Sequence, residues 1–97
     1  MSKPIFFTEA AEKELIRLKE VLKIPDSFGV KIEPVRGNPD DIPFRIGFDE
    51  AGKQDLVYEM NYFNLLIPKA GSMQIIGLTI DFIPEEQGFI FIYTTGS

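Results

Sequence analysis

The sequence predicts a mostly β fold, with about six or seven short strands behind one N-terminal amphipathic α-helix, in a single domain spanning residues 1–97. Three observations point there. One stretch near the start repeats its apolar residues at helical spacing. Most of the remainder alternates apolar and polar residues with period two. No strand–helix rhythm recurs along the chain, which speaks against a parallel doubly wound sheet.

The helix is predicted over "TEAAEKELIRLKEVLK", residues 8–23. Thr8 stands where an N-cap belongs, because its hydroxyl can accept a free backbone N–H of the first turn. Glu9 and Glu12 lie near the positive end of the helix dipole. Ala11, Leu15, Leu18 and Leu22 form one apolar stripe, read as a core face rather than a partner-binding face. Pro25 forbids continuation, so the helix should end near Lys23.

Strands follow. "GVKIEPV" sets Val30 and Ile32 against Lys31 and Glu33, and "PFRIGFDE" sets Phe44, Ile46 and Phe48 against Arg45 and Gly47. Both read as strands with one buried face. "DEAGKQD" is a polar turn, and "LVYEM" and "YFNLLI" are two short strands around Asn61. Pro68 closes the second, and "KAGSMQIIG" is a short helical turn or loop. "LTIDFI", the turn "PEEQG" and "FIFIYTT" complete the order. The near-continuous apolar run of the last strand calls for burial on both faces or an oligomer contact.

Composition excludes much chemistry. Cys and His are both 0, so the chain offers no thiolate nucleophile, no imidazole proton shuttle and no Ser-His-Asp or Cys-His arrangement. Catalytic, cofactor-binding and metal residues are each expected to be none. A net charge of −5 with no basic cluster argues against nucleic acid and against an anionic membrane surface. No apolar run approaches the ~20 residues of a membrane helix. "MSKPIFF" lacks a secretory signal's apolar stretch, so the expected compartment is the cytoplasm.

Several stretches, in order, resemble one known family. "IFFTEAAEKEL" is similar to the opening of the HesB-like family, the A-type iron–sulfur carriers, which implies a strand residue pair, a Thr-Glu-Ala-Ala cap and an amphipathic helix. "GVKIEPV" and "FRIGFDE" resemble its two long strands. "NLLIPKAGSMQIIGLTIDFI" resembles the segment leading into its Gly-x-x-Ile-Asp-aromatic strand, and "GFIF" its closing Gly-Phe-x-Phe. The similarity runs over roughly residues 5–93, with the turn before Gly88 about two residues short. It implies a HesB-like β domain with the helix packed on it, commonly dimeric or larger. It also implies a chemistry resting on three cysteines, one in a Gly-Cys-Ser-Gly-like loop and two in a Cys-Gly-Cys tail.

None of those cysteines is present. Counting back without gaps from Phe48 puts the loop ligand's position at Pro39, and "TTGS" stands after the last strand where the tail motif would be. "RGNPDDIPF" therefore reads as the former ligand loop rebuilt from turn residues. Arg36, Asn38, Pro39, Asp40 and Asp41 form the candidate contact loop at that position. The expected function is a non-enzymatic, metal-free relative of these carriers acting through protein contact. Its expected partner is itself, as a homo-oligomer, or a cysteine-bearing relative. The alternative is a small-molecule or hard-cation binding domain reusing the loop region. There Asp40 and Asp41 would gather with Glu33, Asp49 and Glu50, and Arg36 and Arg45 would pair with the acids or grip an anion. Hard cations want six or more oxygens in a defined loop, and calcium-loop spacing is absent.

Overall fold

A computed structural model describes residues 4–35 and 44–93. Within them the elements run β1 (Phe6–Phe7), α1 (Glu9–Val21), β2 (Phe28–Pro34), β3 (Phe44–Glu50), β4 (Asp55–Glu59), β5 (Asn64–Pro68), α2 (Ser72–Ile75), β6 (Leu78–Ile83) and β7 (Gly88–Tyr93). They form two sheets, one ordered β1-β6-β7 and one ordered β3-β2-β5-β4. The mostly β fold with one main helix is thus as the sequence predicts.

Helix α1 starts where expected. The Thr8 hydroxyl accepts the Ala11 N–H at 3.2 Å. The same hydroxyl donates to Asp81 Oδ1 on β6 at 2.6 Å, and that oxygen also accepts the Phe82 N–H at 2.8 Å. The cap is therefore tied to the sheet as well as to the helix. At the other end Lys23 adopts φ 55°, and Ile24 N–H donates back to the Lys19 carbonyl at 2.9 Å. This is a Schellman-type stop with Lys where Gly is usual. It ends the helix at Val21, two residues before Lys23, and leaves Leu22 57% exposed. Leu22 is thus outside the core, against the predicted stripe, while Ala11 and Leu15 are fully inside it.

Strands β2 and β3 form an antiparallel hairpin whose pairing runs from Phe28↔Glu50 to Pro34↔Phe44. Val30 and Ile32 are buried as the alternation requires. Ile46 and Phe48 are only half-buried, because β3 is the sheet's outer strand. In β5, between β2 and β4, Leu65, Leu66 and Ile67 are buried in succession, so both faces of that strand are dry. Tyr62 and Phe63 precede β5 as a turn rather than beginning the strand.

A two-residue strand, β1, precedes the helix, as the resemblance implies, and pairs parallel with β6; it is too short to show a period. One further expectation changes. The final strand β7 lies at an edge of its sheet, with Phe89, Ile90 and Phe91 half-buried and Ile92 43% exposed. It is not buried on both faces. One core of Ile5, Phe7, Leu15, Val30, Ile32, Leu65, Ile75, Leu78, Ile80 and neighbours joins the two sheets and the helix. Among the described residues no helix is long and apolar enough to cross a membrane.

Candidate functional site

The candidate contact residues Arg36, Asn38, Pro39, Asp40 and Asp41 lie outside the described residues. Their anchor points lie inside them. The pair Pro34↔Phe44 closes the β2–β3 hairpin. Phe44 is buried to 7% exposure and packs its ring on Phe91 at 5.6 Å. Phe44, at the root of the 36–43 segment, therefore meets the C-terminal half of strand β7. Gly71, at φ 87°, passes so close that a Cβ there would stand 3.0 Å from Pro34 Cγ. Beside it Glu33, Val35, Pro68 and Gln74 line an open cleft of about 420 Å³.

The acids expected near this region are occupied elsewhere. Glu33 is the cross-strand partner of Arg45 and accepts a hydrogen bond from its guanidinium. Asp49 lies 3.8 Å from Lys31 Nζ, which also lies 3.5 Å from Asp55. Asp49 accepts the Glu50 N–H, and Asp55 accepts the Gly52 N–H that closes the β3–β4 turn. No three His, Cys, Asp or Glu side chains converge to hold a metal among the described residues. Arg45 is thus paired as one reading allowed, while the gathering of Asp40 and Asp41 with Glu33, Asp49 and Glu50 involves loop acids that lie outside the described residues. On α1, the Glu14 carboxyl is paired with Arg17. Hydrogen bonds from Arg17 Nε at 2.9 Å and Nη2 at 2.7 Å hold it below the usual carboxylate range.

The aromatics divide as the alternation indicates. Phe44, Phe48, Phe82, Phe89 and Phe91 pack in or against the core, and Phe63 meets Phe7 edge-on at 5.2 Å. Tyr62 stands 61% exposed. Sequence reasoning missed a groove of about 410 Å³ along α1. Its floor is Leu15, Ile16, Val30, Phe48 and Phe63, and Lys19 and Asp26 stand at its rim. Ile16, one step off the apolar stripe, was the available signal.

No protein-family model matches the chain, and no curated protein matches it. Solved structures do. The Escherichia coli SufA involved in biosynthesis of iron–sulfur clusters is 26% identical, with a TM-score of 0.68 over 96% of this chain and 82% of that one. The chain carries the HesB-like fold. IscA with its [2Fe-2S] cluster is 20% identical at a TM-score of 0.64, covering 93% of this chain and 85% of its own. An Aquifex aeolicus protein solved by NMR is 19% identical at 0.70, covering 95% and 96%. The cysteine-free sequence is consistent with a divergent member of the HesB-like family. Its donor set does not fit an iron–sulfur cluster: such clusters are held by thiolates, with imidazoles in some sites, and these 97 residues contain neither.

Proposed function

We propose that this chain is a non-enzymatic relative of the A-type carriers that has given up cluster and iron binding and works through protein contact. One combination carries the reading: a SufA-like fold over nearly the whole chain on a sequence with no Cys and no His. Residues 1–97 are read as one such domain, working in the cytoplasm. The partner is a second copy or a cysteine-bearing relative that supplies the thiolates. The contact loop is Arg36, Asn38, Pro39, Asp40 and Asp41, rooted where Phe44 meets Phe91.

The test is affinity capture by the full 97-residue chain from its host's lysate, with captured proteins identified by mass spectrometry. Recovery of a cysteine-bearing carrier or an assembly scaffold, reduced by Asp40→Lys with Asp41→Lys, supports the proposal. A strict monomer that recovers neither contradicts it.

The groove along α1 favours a second reading, a small-molecule binding domain. Its floor is apolar and lies at the Val30–Phe48 end of the hairpin, away from the loop. A ligand of the native state must raise the melting temperature. A flat thermal-shift response across metals and apolar metabolites excludes this second reading.

A further inference from the structure

The stop that ends α1 also builds one end of the groove beside it. The carbonyls of Leu18, Lys19 and Glu20 accept the N–H groups of Leu22, Ile24 and Lys23 at 2.9, 2.9 and 3.2 Å. Lys23 takes φ 55° in this turn, and the chain comes back so that Asp26 Oδ1 lies 3.6 Å from Lys19 Nζ. Ile24 and Asp26 thereby join Lys19 in the groove wall. The floor comes from elsewhere in the fold. Val30 and Phe48 are paired across β2 and β3, and Phe63 meets Phe7 edge-on. Ile16, one position off the stripe that packs into the core, is half-buried there. The result is an apolar concavity of about 410 Å³ with charge at its rim. Small-molecule sites have this form, roughly 300–1,000 Å³ with apolar walls and a few polar groups.

The charges decide what enters. Those in the wall are Lys19, Glu20, Lys23 and Asp26. Glu20 and Lys23 are exposed, and Asp26 fully so. Lys19 differs: its side chain is only 25% exposed. Its separation from Asp26 is that of an ion pair, longer than a hydrogen bond, and a pair with so exposed an acid is weak. An ammonium carries three N–H donors, and among the described residues no hydrogen-bond acceptor reaches this one. A cationic ligand finds less. The Leu18, Lys19 and Glu20 carbonyls of the last helical turn are already taken, and the two acids lie where water screens them.

We infer that this groove binds a small amphipathic carboxylate, with its apolar body on Ile16, Phe48 and Phe63 and its carboxylate on Lys19 Nζ in place of Asp26. The inference rests on the small-molecule reading of the groove given above and names its ligand class.

The test is an NMR titration of the full chain with three compounds that share one body and differ in the head: phenylbutanoate, phenylbutylamine and phenylbutanol. The inference expects amide shifts at Ile16, Lys19, Phe48, Tyr62 and Phe63. It expects phenylbutanoate to bind about tenfold or more tighter than either other compound, the scale of a hydrogen bond to a charged group. Lys19→Met keeps an apolar stem and removes the charge, so the three compounds should then bind alike. Lys13→Met removes a cation of the same helix outside the groove and should leave the preference intact. Phenylbutylamine or phenylbutanol binding in the groove as tightly as phenylbutanoate, or a preference that survives Lys19→Met, overturns the inference and leaves the small-molecule reading standing. No groove shifts with any of the three overturns the inference, and a flat thermal-shift response beside it removes that reading as well. The head-group comparison is made on the unsubstituted chain, so poor folding of a variant does not blunt the test.

Discussion

Gly29 lies on β2 beside the start of β5. A Cβ there would stand 2.7 Å from the Asn64 carbonyl oxygen and 3.1 Å from Leu66 Cγ. The first neighbour is backbone and cannot swing aside. Gly29→Ala is expected to destabilise by about 1–3 kcal/mol, the usual cost of overpacking, measurable by urea denaturation. Glu14 and Arg17 make a different kind of residue-scale prediction. The hydrogen bonds from Arg17 hold the Glu14 carboxyl below its ordinary value, so its folded pKa lies below its unfolded one. The pair's contribution is then present above the unfolded value and lost as pH falls through the folded value. Arg17 is exposed, so the effect is small. In Arg17→Ala the Glu14 titration followed by NMR should move up toward the ordinary range. The small loss of melting temperature at neutral pH should vanish in acid.

The ends of α1 carry the element-scale predictions. Thr8 caps the helix and bonds Asp81 across the chain. Thr8→Ala should cost about 1–2 kcal/mol, at the upper end for a cap, because Asp81 loses its donor as well. A double-mutant cycle with Asp81→Ala should show coupling of at least ~0.5 kcal/mol; additive losses would refute the link. At the other end, Lys23 holds a left-handed conformation that costs an L-residue with a side chain roughly 1 kcal/mol or more. Lys23→Gly is expected to raise the melting temperature by a few degrees. Much of this was legible in the sequence. Thr8 as cap, Pro25 as stop, the β2–β3 alternation and the "PEEQ" turn were all local signals. Asp81 as the partner of Thr8 was not, because its bond is made 73 positions away. β1 was legible only through the family resemblance, since its two residues are too few to show a period and are strand because β6 pairs with them. The exposure of Leu22 was hidden as well, since spacing marks a stripe and not where a Schellman turn cuts it.

At the scale of the whole molecule, fold and chemistry separate. The strand order, the helix placement and the core reproduce a SufA-like architecture, because those features rest on apolar pattern and packing. Cluster chemistry rests on a few thiolate or imidazole donors, and the sequence has neither. A missing residue type is fully legible in a sequence, so the exclusion of thiolate and imidazole chemistry needed no structure. The candidate loop was legible only as a position. The structure adds its root at Phe44 and Phe91 and shows Glu33 and Asp49 committed to Arg45 and Lys31. Those pairings form across strands, which a linear reading of acids along the chain does not resolve. The measurement that bears most directly on the central claim is anaerobic reconstitution of the purified chain with iron and sulfide, followed by desalting, visible spectroscopy and iron and sulfide analysis. The account predicts a colourless protein that retains neither. A stable visible chromophore with stoichiometric iron and sulfide on this chain alone would contradict it.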